Sequence, residues 1–369
     1  GTAPEADPNP LIPQLSHTYP TTSHMTQQPL SSKPIEILIT VPLAEALLDR
    51  LRAVSERIKI TTLRAREAQE IPDETWAVTD ILYTSRALPA PEQAPRLRWI
   101  QFHWAGIDHA IDAPILKQPN LLVTHLSGAS ASQMAEFAVM MLLALGHHFP
   151  ALQNHQRRGE WPSDRWERLN PRELRGSTVG IVGYGSIGRQ IARLLQTFGA
   201  TVLATKRDVM RPHDTGYTPE GMADPKTELV NRLYPPQAIR SMFKECDFVV
   251  ITVPLTAETR GMIGVEELAA LKPGAYLVDI SRGGVIQQEA LINALKDNKI
   301  AAAALDVFAK EPLPVDNPLW KLPNVIITPH IAGFSPHYDE RAVVLFEENL
   351  RRYLAELPLY NQLNLEKGY

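Results

Sequence analysis

The sequence predicts an α/β protein in which two parallel sheets are covered on both faces by helices. Three observations predict it: a strand, glycine turn and helix at Ser177 to Phe198, strands alternating with helical patterns on both sides of that turn, and a long apolar helix between the two series. Strands that alternate with helices pair in parallel, because each helix is the crossover that returns the chain to the same edge.

The first series begins at Ile35. IEILIT (35–40) reads as a strand and Leu43 to Val54 as a helix, followed by the strands IKITT ending at Thr62, Val78 to Tyr83, RWIQF (98–102) and LLVTH (121–125). A connection broken by Pro89, Pro91 and Pro95 precedes RWIQF. No glycine fingerprint follows the first strand, so this half is not expected to hold a nucleotide.

Ser132 to His148 then presents Met134, Phe137, Ala138, Met141, Leu142 and Leu145 on one helix face, with Ser130 and Gln133 resembling a capping box. Such a helix suits a bridge between two domains. A polar arm follows, carrying Trp161 and Trp166; packing on the parent domain is the simpler expectation, an interface the other.

The glycine turn is Gly183-Tyr184-Gly185-Ser186-Ile187-Gly188. A β-rich run, Ser177 to Val182, precedes it, and Ile191, Leu194, Leu195 and Phe198 recur at helical spacing after it. In that context the three glycines serve a tight turn, close backbone approach to a pyrophosphate and close packing of helix on strand. The helix N-terminus offers unpaired N–H groups to phosphates. A dinucleotide is therefore the expected cofactor.

Five more strands follow or complete this unit, at Thr201 to Thr205, Asp247 to Thr252, Ala275 to Ile280, Ala301 to Leu305 and Asn324 to Thr328, with helices at Val265 to Leu271 and Gln287 to Leu295. With Ser177 to Val182 they make the complement of a Rossmann-like, doubly wound sheet. One interval, 208–240, is long, polar and broken by five prolines, which marks it as an insertion. A last helix, His337 to Leu354, is expected to return to the first domain.

Composition narrows the function. With 369 residues, 44% hydrophobic and 21% charged, the chain has material for two ordinary domains. A net charge of -4 gives no electrostatic reason to expect nucleic acid or an anionic membrane as partner, and no apolar run reaches the ~18 residues of a membrane helix. Cys246 is the single cysteine, which excludes an intrachain disulfide and a thiolate zinc cluster and suits the cytoplasm. Its acidic neighbours Glu245 and Asp247 should raise its thiol pKa, so it reads as structural. Residues 1–33 are rich in Pro, Ser, Thr and Gln and read as a leader, with Met25 a plausible start of the native chain.

Five blocks in order, VGIVGYGSIG, CDFVVITVPLTAET, LKPGAYLVDISRGGVI, AALDVFAKEPLP and NVIITPHIAG, make residues 35–369 resemble the D-isomer-specific 2-hydroxyacid dehydrogenases. The resemblance implies two Rossmann-like or flavodoxin-like domains with the active site in the cleft between them. It implies a discontinuous substrate domain (34–128 and 334–369) around a dinucleotide-binding domain (129–333). It places the catalytic groups at Arg282 in SRGG, Glu311 in KEP and His330 in TPH, and a homodimer joined through the cofactor domain. Those residue types suit the chemistry. Arg282 can fork onto a carboxylate and polarise the adjacent carbonyl. His330 can exchange a proton near neutral pH, and Glu311 can orient it.

Cofactor contacts are expected from Gly183, Gly185, Ser186, Ile187, Gly188, Thr205, Lys206, Arg207, Val253, Pro254, Ile280, Ser281, Asp306, His330 and Gly333, with Asp306 on the nicotinamide carboxamide by resemblance. Where an NAD enzyme ends its second strand in a carboxylate, this chain has Lys206 and Arg207, which predicts NADP preference, NAD being possible. Thr205 is expected to add a hydrogen bond to the 2′-phosphate. Substrate contacts are expected from Ser85, Arg86, Ala105, Gly106 and Arg282; the loop Ser127 to Ser130 lines the pocket by resemblance, with Ser130 more a helix cap than a contact. His103 and Trp104 lie beside this loop, His103 being by default a packed histidine. Asp279 stands where the family has Asn and requires a partner. A small keto acid, glyoxylate or hydroxypyruvate, is the expected substrate and no metal is expected. Phosphite oxidation and a non-catalytic, dinucleotide-binding corepressor are the alternatives.

Overall fold

In the computed structural model, residues 33–213 and 216–364 are described. The expected leader lies outside them except for Lys33, as do the last five residues of the chain. The fold that follows belongs to the unit beginning at Ile35.

Two wholly parallel sheets carry the chain, as the strand and helix alternation requires. The first has five strands in the order β2-β1-β3-β4-β5: β1 (Ile35–Ile39), β2 (Ile58–Thr62), β3 (Ile81–Thr84), β4 (Trp99–Phe102) and β5 (Leu122–Thr124). Helices α1 (Glu45–Arg52) and α2 (Asp73–Val78) lie between its strands. The strand expected from Val78 starts later, at Ile81. Pro72 followed by Asp73 and Glu74 begins a helix, because an acidic first turn suits the positive helix end, and the Thr79 hydroxyl closes it on Thr75 O at 2.7 Å.

The second sheet has seven strands, in the order β12-β11-β10-β9-β6-β7-β8. They are β6 (Thr178–Val182), β7 (Thr201–Thr205), β8 (Arg232–Tyr234), β9 (Phe248–Ile251), β10 (Tyr276–Asp279), β11 (Ala302–Leu305) and β12 (Val325–Ile327). Chain order reverses at β6, between β7 and β9, which is the switch point where open α/β sheets leave a crevice beyond their strand ends.

Before β6 come α3 (Ala131–Gly146) and, in the polar arm, α4 (Phe149–Arg158) and α5 (Arg165–Arg168). Then α6 (Ser186–Thr197) follows the glycine turn, and α7 (Ile239–Phe243), α8 (Val265–Ala269), α9 (Gln288–Lys296) and α10 (Tyr338–Leu354) complete the series. α3 buries Ala135, Ala138 and Leu142 with Ile191 and Leu195 of α6 over the second sheet. α10 instead buries Val343, Phe346 and Leu350 on the first sheet, with the Phe346 ring 4.8 Å from Tyr83 and 5.2 Å from Trp99. No single helix among the described residues is long and apolar enough to cross a membrane.

The interval 208–240 is not a plain loop. It contributes β8 to the sheet edge and the first two residues of α7, and ahead of β8 it lies along α6. Four α6 side chains donate to its carbonyls: Arg189 to Pro212 O at 2.7 Å, Gln190 to Met222 O at 2.9 Å, Arg193 to Ala223 O at 3.0 Å and Gln196 to Glu228 O at 3.0 Å. Tyr184 also donates its hydroxyl to Asp224. The insertion's Tyr217 takes a 2.9 Å bond from its N–H to Asn361 Oδ1, and Asn361 Nδ2 donates to His125 O and Ser127 O at 3.0 and 2.7 Å.

Three local expectations are corrected. Ser130 makes no cap bond to α3; its hydroxyl pairs with Tyr338, and Gln133 donates to Gly333 O at 2.9 Å instead of closing a capping box. Trp161 and Trp166 do not pack on their own domain: they are 85% and 77% exposed, with Arg165 over both rings. Cys246 is structural as expected, but burial more than its acidic neighbours pushes its thiol up to about 12. Its Sγ would stand 2.6 Å from a Cβ at Gly180, so the thiol fills the space that glycine leaves.

Candidate active site

The glycine turn is built so that each glycine has its own steric reason. Gly183 has φ of +107°, and a Cβ there would meet Val253 at 2.9 Å. At Gly188 a Cβ would meet Gly183 O at 2.3 Å, so helix and turn touch through backbone. Gly185 is the opposite case, with nothing within 4 Å of its Cβ position. That open space lies at the N-terminus of α6, where Gly185 provides no side-chain cap and the first N–H groups are left for a ligand. The turn therefore fits a dinucleotide pyrophosphate.

Around it, Thr252 Oγ1 donates to Gly183 O at 2.8 Å and Gly183 N–H donates to Thr205 Oγ1 at 3.0 Å. Thr205 is buried and serves the turn; this is a different task from the 2′-phosphate bond expected of it. Lys206 and Arg207 stand at the end of β7. Lys206 Nζ donates to Tyr184 O at 3.1 Å, and Arg207 pairs with Glu258 at 2.9 Å. Val253 and Pro254 follow β9, and Ile280 and Ser281 follow β10, at the same edge of the sheet.

Histidine, glutamate and aspartate are organised around the loops after β11 and β12. His330 Nδ1 lies 2.7 Å from Glu311 Oε2, and Glu311 Oε1 accepts from Phe308 N–H at 2.9 Å. Glu311 is thus anchored in its own turn and orients the imidazole. His330 itself has φ of +55°, a left-handed conformation that a non-glycine residue keeps only when its surroundings impose it. Asp306 imposes it: its carboxylate accepts from Ile331 N–H at 3.0 Å, Ala332 N–H at 2.8 Å and the Thr328 hydroxyl at 2.7 Å. The buried Asp306 thereby fixes the backbone on both sides of His330.

Asp279 finds its partner in Ser281, whose N–H and hydroxyl donate to Oδ1 at 3.0 and 2.5 Å. Burial pushes its carboxyl up to about 7 despite those bonds, with the Asp306 charge adding to the rise.

Arg282 reaches across from the loop after β10 to the loop after β4. Its Nη1 donates to Ser281 O at 2.8 Å, its Nε donates to Asp108 Oδ1 at 3.4 Å, and a Cβ at Gly106 would stand 1.9 Å from its Nη2. Gly106 is the flat surface on which the guanidinium rests. Ala105 and Gly106 lie beside Ser85 and Arg86: Ser85 O accepts from His109 Nε2 at 3.0 Å, tying the two loops at one end of the first sheet. Arg86 is exposed there, and Gly333 sits against Met134 of α3.

His103 is a packed histidine. Burial holds it down at about 4, so it is neutral and its Nδ1 accepts from the Tyr83 hydroxyl at 2.7 Å. Tyr338 donates to His103 O at 2.7 Å, and its ring lies 5.5 Å from that of Trp104, whose side chain is partly exposed. Asp108 and Tyr338 are the site residues that sequence reasoning did not single out. The short run Ala105-Gly106-Ile107-Asp108 was the available signal for the first.

A family model, D-isomer specific 2-hydroxyacid dehydrogenase, NAD binding domain, matches residues 139–332. The chain belongs to the D-isomer specific 2-hydroxyacid dehydrogenase family. It is similar to the glyoxylate reductase of Thermofilum pendens, with 36% identity over 72% of this chain and 75% of the relative. It is also similar to the D-3-phosphoglycerate dehydrogenase of Methanocaldococcus jannaschii, with 32% identity over 90% of this chain. The match spans 60% of that relative's length. Among solved structures, a D-isomer specific 2-hydroxyacid dehydrogenase from Xanthobacter autotrophicus Py2, in complex with NADPH and MES, superposes with a TM-score of 0.75. That similarity covers 92% of this chain and 100% of the other at 28% identity.

Proposed function

We propose that this dehydrogenase family member is an NADP-preferring reductase of a small 2-keto acid, of the glyoxylate or hydroxypyruvate type, giving the D-2-hydroxy acid. The observation that carries the reading is the oriented His330–Glu311 pair, 2.7 Å apart, on the same sheet edge as Arg282 and the open glycine turn. In this reading residues 129–333 bind the dinucleotide, and 34–128 with 334–369 form the substrate side of the cleft.

A bound nicotinamide dinucleotide supplies the hydride. Arg282, steadied by Ser281 O, grips the keto acid's carboxylate through its remaining N–H groups and polarises the carbonyl. His330, with Nδ1 directed to Glu311, presents Nε2 to the carbonyl oxygen and delivers the proton the new hydroxyl needs. Glu311 keeps the imidazole in that orientation, and in the oxidative direction His330 takes the proton back. Ser85, Arg86, Ala105 and Gly106 close the acid's other side. Asp306 acts on the site by holding the His330 loop, and the remaining acceptor capacity of its Oδ2 would take a hydrogen bond from a nicotinamide amide.

Lys206 and Arg207 support NADP, since two cations and no carboxylate end β7. The glyoxylate reductase similarity extends over three-quarters of that relative, which favours the small acids. We place the enzyme in the cytoplasm as a homodimer joined through the cofactor domain; the exposed tryptophans of the arm give it an apolar face, and the mass in solution tests this.

The test of the activity is the initial rate of NADPH and of NADH oxidation with glyoxylate, hydroxypyruvate, pyruvate, phenylpyruvate and 3-phosphohydroxypyruvate. Faster turnover with NADPH and with the two smallest acids supports the proposal. Turnover confined to the phosphorylated acid, or no turnover with any acid despite dinucleotide binding, contradicts it.

A further inference from the structure

The guanidinium of Arg282 is held at three points. Ser281 O takes Nη1, the Gly106 backbone faces Nη2, and Asp108 takes Nε. Two of these are neutral backbone groups; Asp108 alone brings a charge. It comes from the first-sheet side of the cleft, whereas Arg282 comes from the second sheet.

The pair is partly exposed, with side chains 26% and 42% accessible, so solvent weakens the attraction without removing it. Any acid gripped by the remaining edge of the same guanidinium lies one guanidinium width from the Asp108 carboxylate. One negative charge on the ligand is then offset by Arg282. Each further negative charge meets Asp108 with no second cation on Arg282 to offset it. Arg86, the exposed cation of the neighbouring loop, does not touch this pair.

We propose that Asp108 is a positioning and specificity residue: it fixes Arg282 for substrate binding and selects acids of single negative charge over those carrying a second. This rests on the reading of Arg282 as the carboxylate-gripping group. It deepens that reading, because it separates simple keto acids from phosphorylated or dicarboxylic ones by electrostatics instead of by size.

Oxamate and oxalate test it, being close in size and differing by one charge. Their affinities are measured by calorimetry on the NADPH-saturated protein for wild type, Asp108→Asn and Asp108→Glu, with NADPH affinity as the control for an intact site. The expected result is an oxalate-to-oxamate affinity ratio about tenfold higher in Asp108→Asn than in wild type, and a near wild-type ratio in Asp108→Glu. An unchanged ratio in Asp108→Asn, with oxamate still bound, overturns the role of Asp108 alone. Failure of wild type to bind either acid overturns the reading of Arg282 as well.

Discussion

At the end of β1 the buried Thr40 hydroxyl donates to Thr84 Oγ1 at 2.7 Å, and Thr84 in turn donates to Ala87 O at 3.1 Å. At the end of β6, the equivalent first strand of the second sheet, the chain enters Gly183 and leaves open space above Gly185. Both sheets are parallel and both are covered by helices, so their strand ends face the same physical problem of polar backbone that stops pairing. In the first half side chains close the edge and make it a scaffold. In the second half glycines leave it open, and α6 offers its N–H groups to a ligand. The difference teaches that parallel architecture alone does not make a binding site; the residues just past each strand decide it.

Exchanging the character of the two edges breaks this contrast if it is wrong. Gly185→Val puts a branched side chain into open space, so it should lower NADPH affinity by about a hundredfold or more while leaving the melting temperature nearly unchanged. Thr84→Val should do the reverse: the buried Thr40 hydroxyl loses its 2.7 Å partner and keeps only the 3.5 Å contact with Tyr83 O, at a cost of about 1 kcal/mol, read as a lower melting temperature with NADPH affinity intact.

Gly106→Ala tests how far the closed half serves the open one. A methyl group 1.9 Å from Arg282 Nη2 must displace the guanidinium, and a misplaced group of this kind costs about 10²-fold in kcat/KM. Dinucleotide affinity, measured by fluorescence titration, should stay the same. Lys206→Asp should lower the NADPH to NADH efficiency ratio by about tenfold or more through charge reversal beside the 2′-phosphate. An unchanged ratio removes Lys206 from the NADP assignment.

The smallest expected effect is on stability and comes from Asp279, with a definite sign. Its folded pKa, about 7, lies above the ordinary carboxyl value, so the native state holds the proton more tightly than the unfolded chain. Stability from this group is complete below the unfolded pKa and is lost as pH rises through 7. Asp279→Asn should therefore raise the melting temperature by several degrees at pH 8, and the gain should vanish at pH 4. A gain that persists in acid contradicts the burial argument.

Much of this was legible before the structure. The glycine turn and the strand alternation follow from local sequence, because turns and strand ends are local matters, whereas Arg282, Glu311 and His330 are reached only through the family resemblance of the motifs that hold them. What was not legible depended on distant partners. Arg189, Gln190, Arg193 and Gln196 look like a solvated helix face until the insertion lies on them. β8 is three residues long in a proline-rich interval and gains its identity only by pairing with β7. Asp108 and Arg282 are 174 residues apart, and no spacing rule connects them. Ser130 has the form of a cap, yet Tyr338 takes its hydroxyl.

The central claim is that the open edge of the second sheet binds the dinucleotide and that His330 there moves the proton. His330→Gln, measured for NADPH affinity and for kcat with the best keto acid of the panel, tests it most directly. The account predicts unchanged NADPH affinity and a kcat lower by about 10²–10⁴-fold. A kcat within a few-fold of wild type, with NADPH still bound, would contradict it.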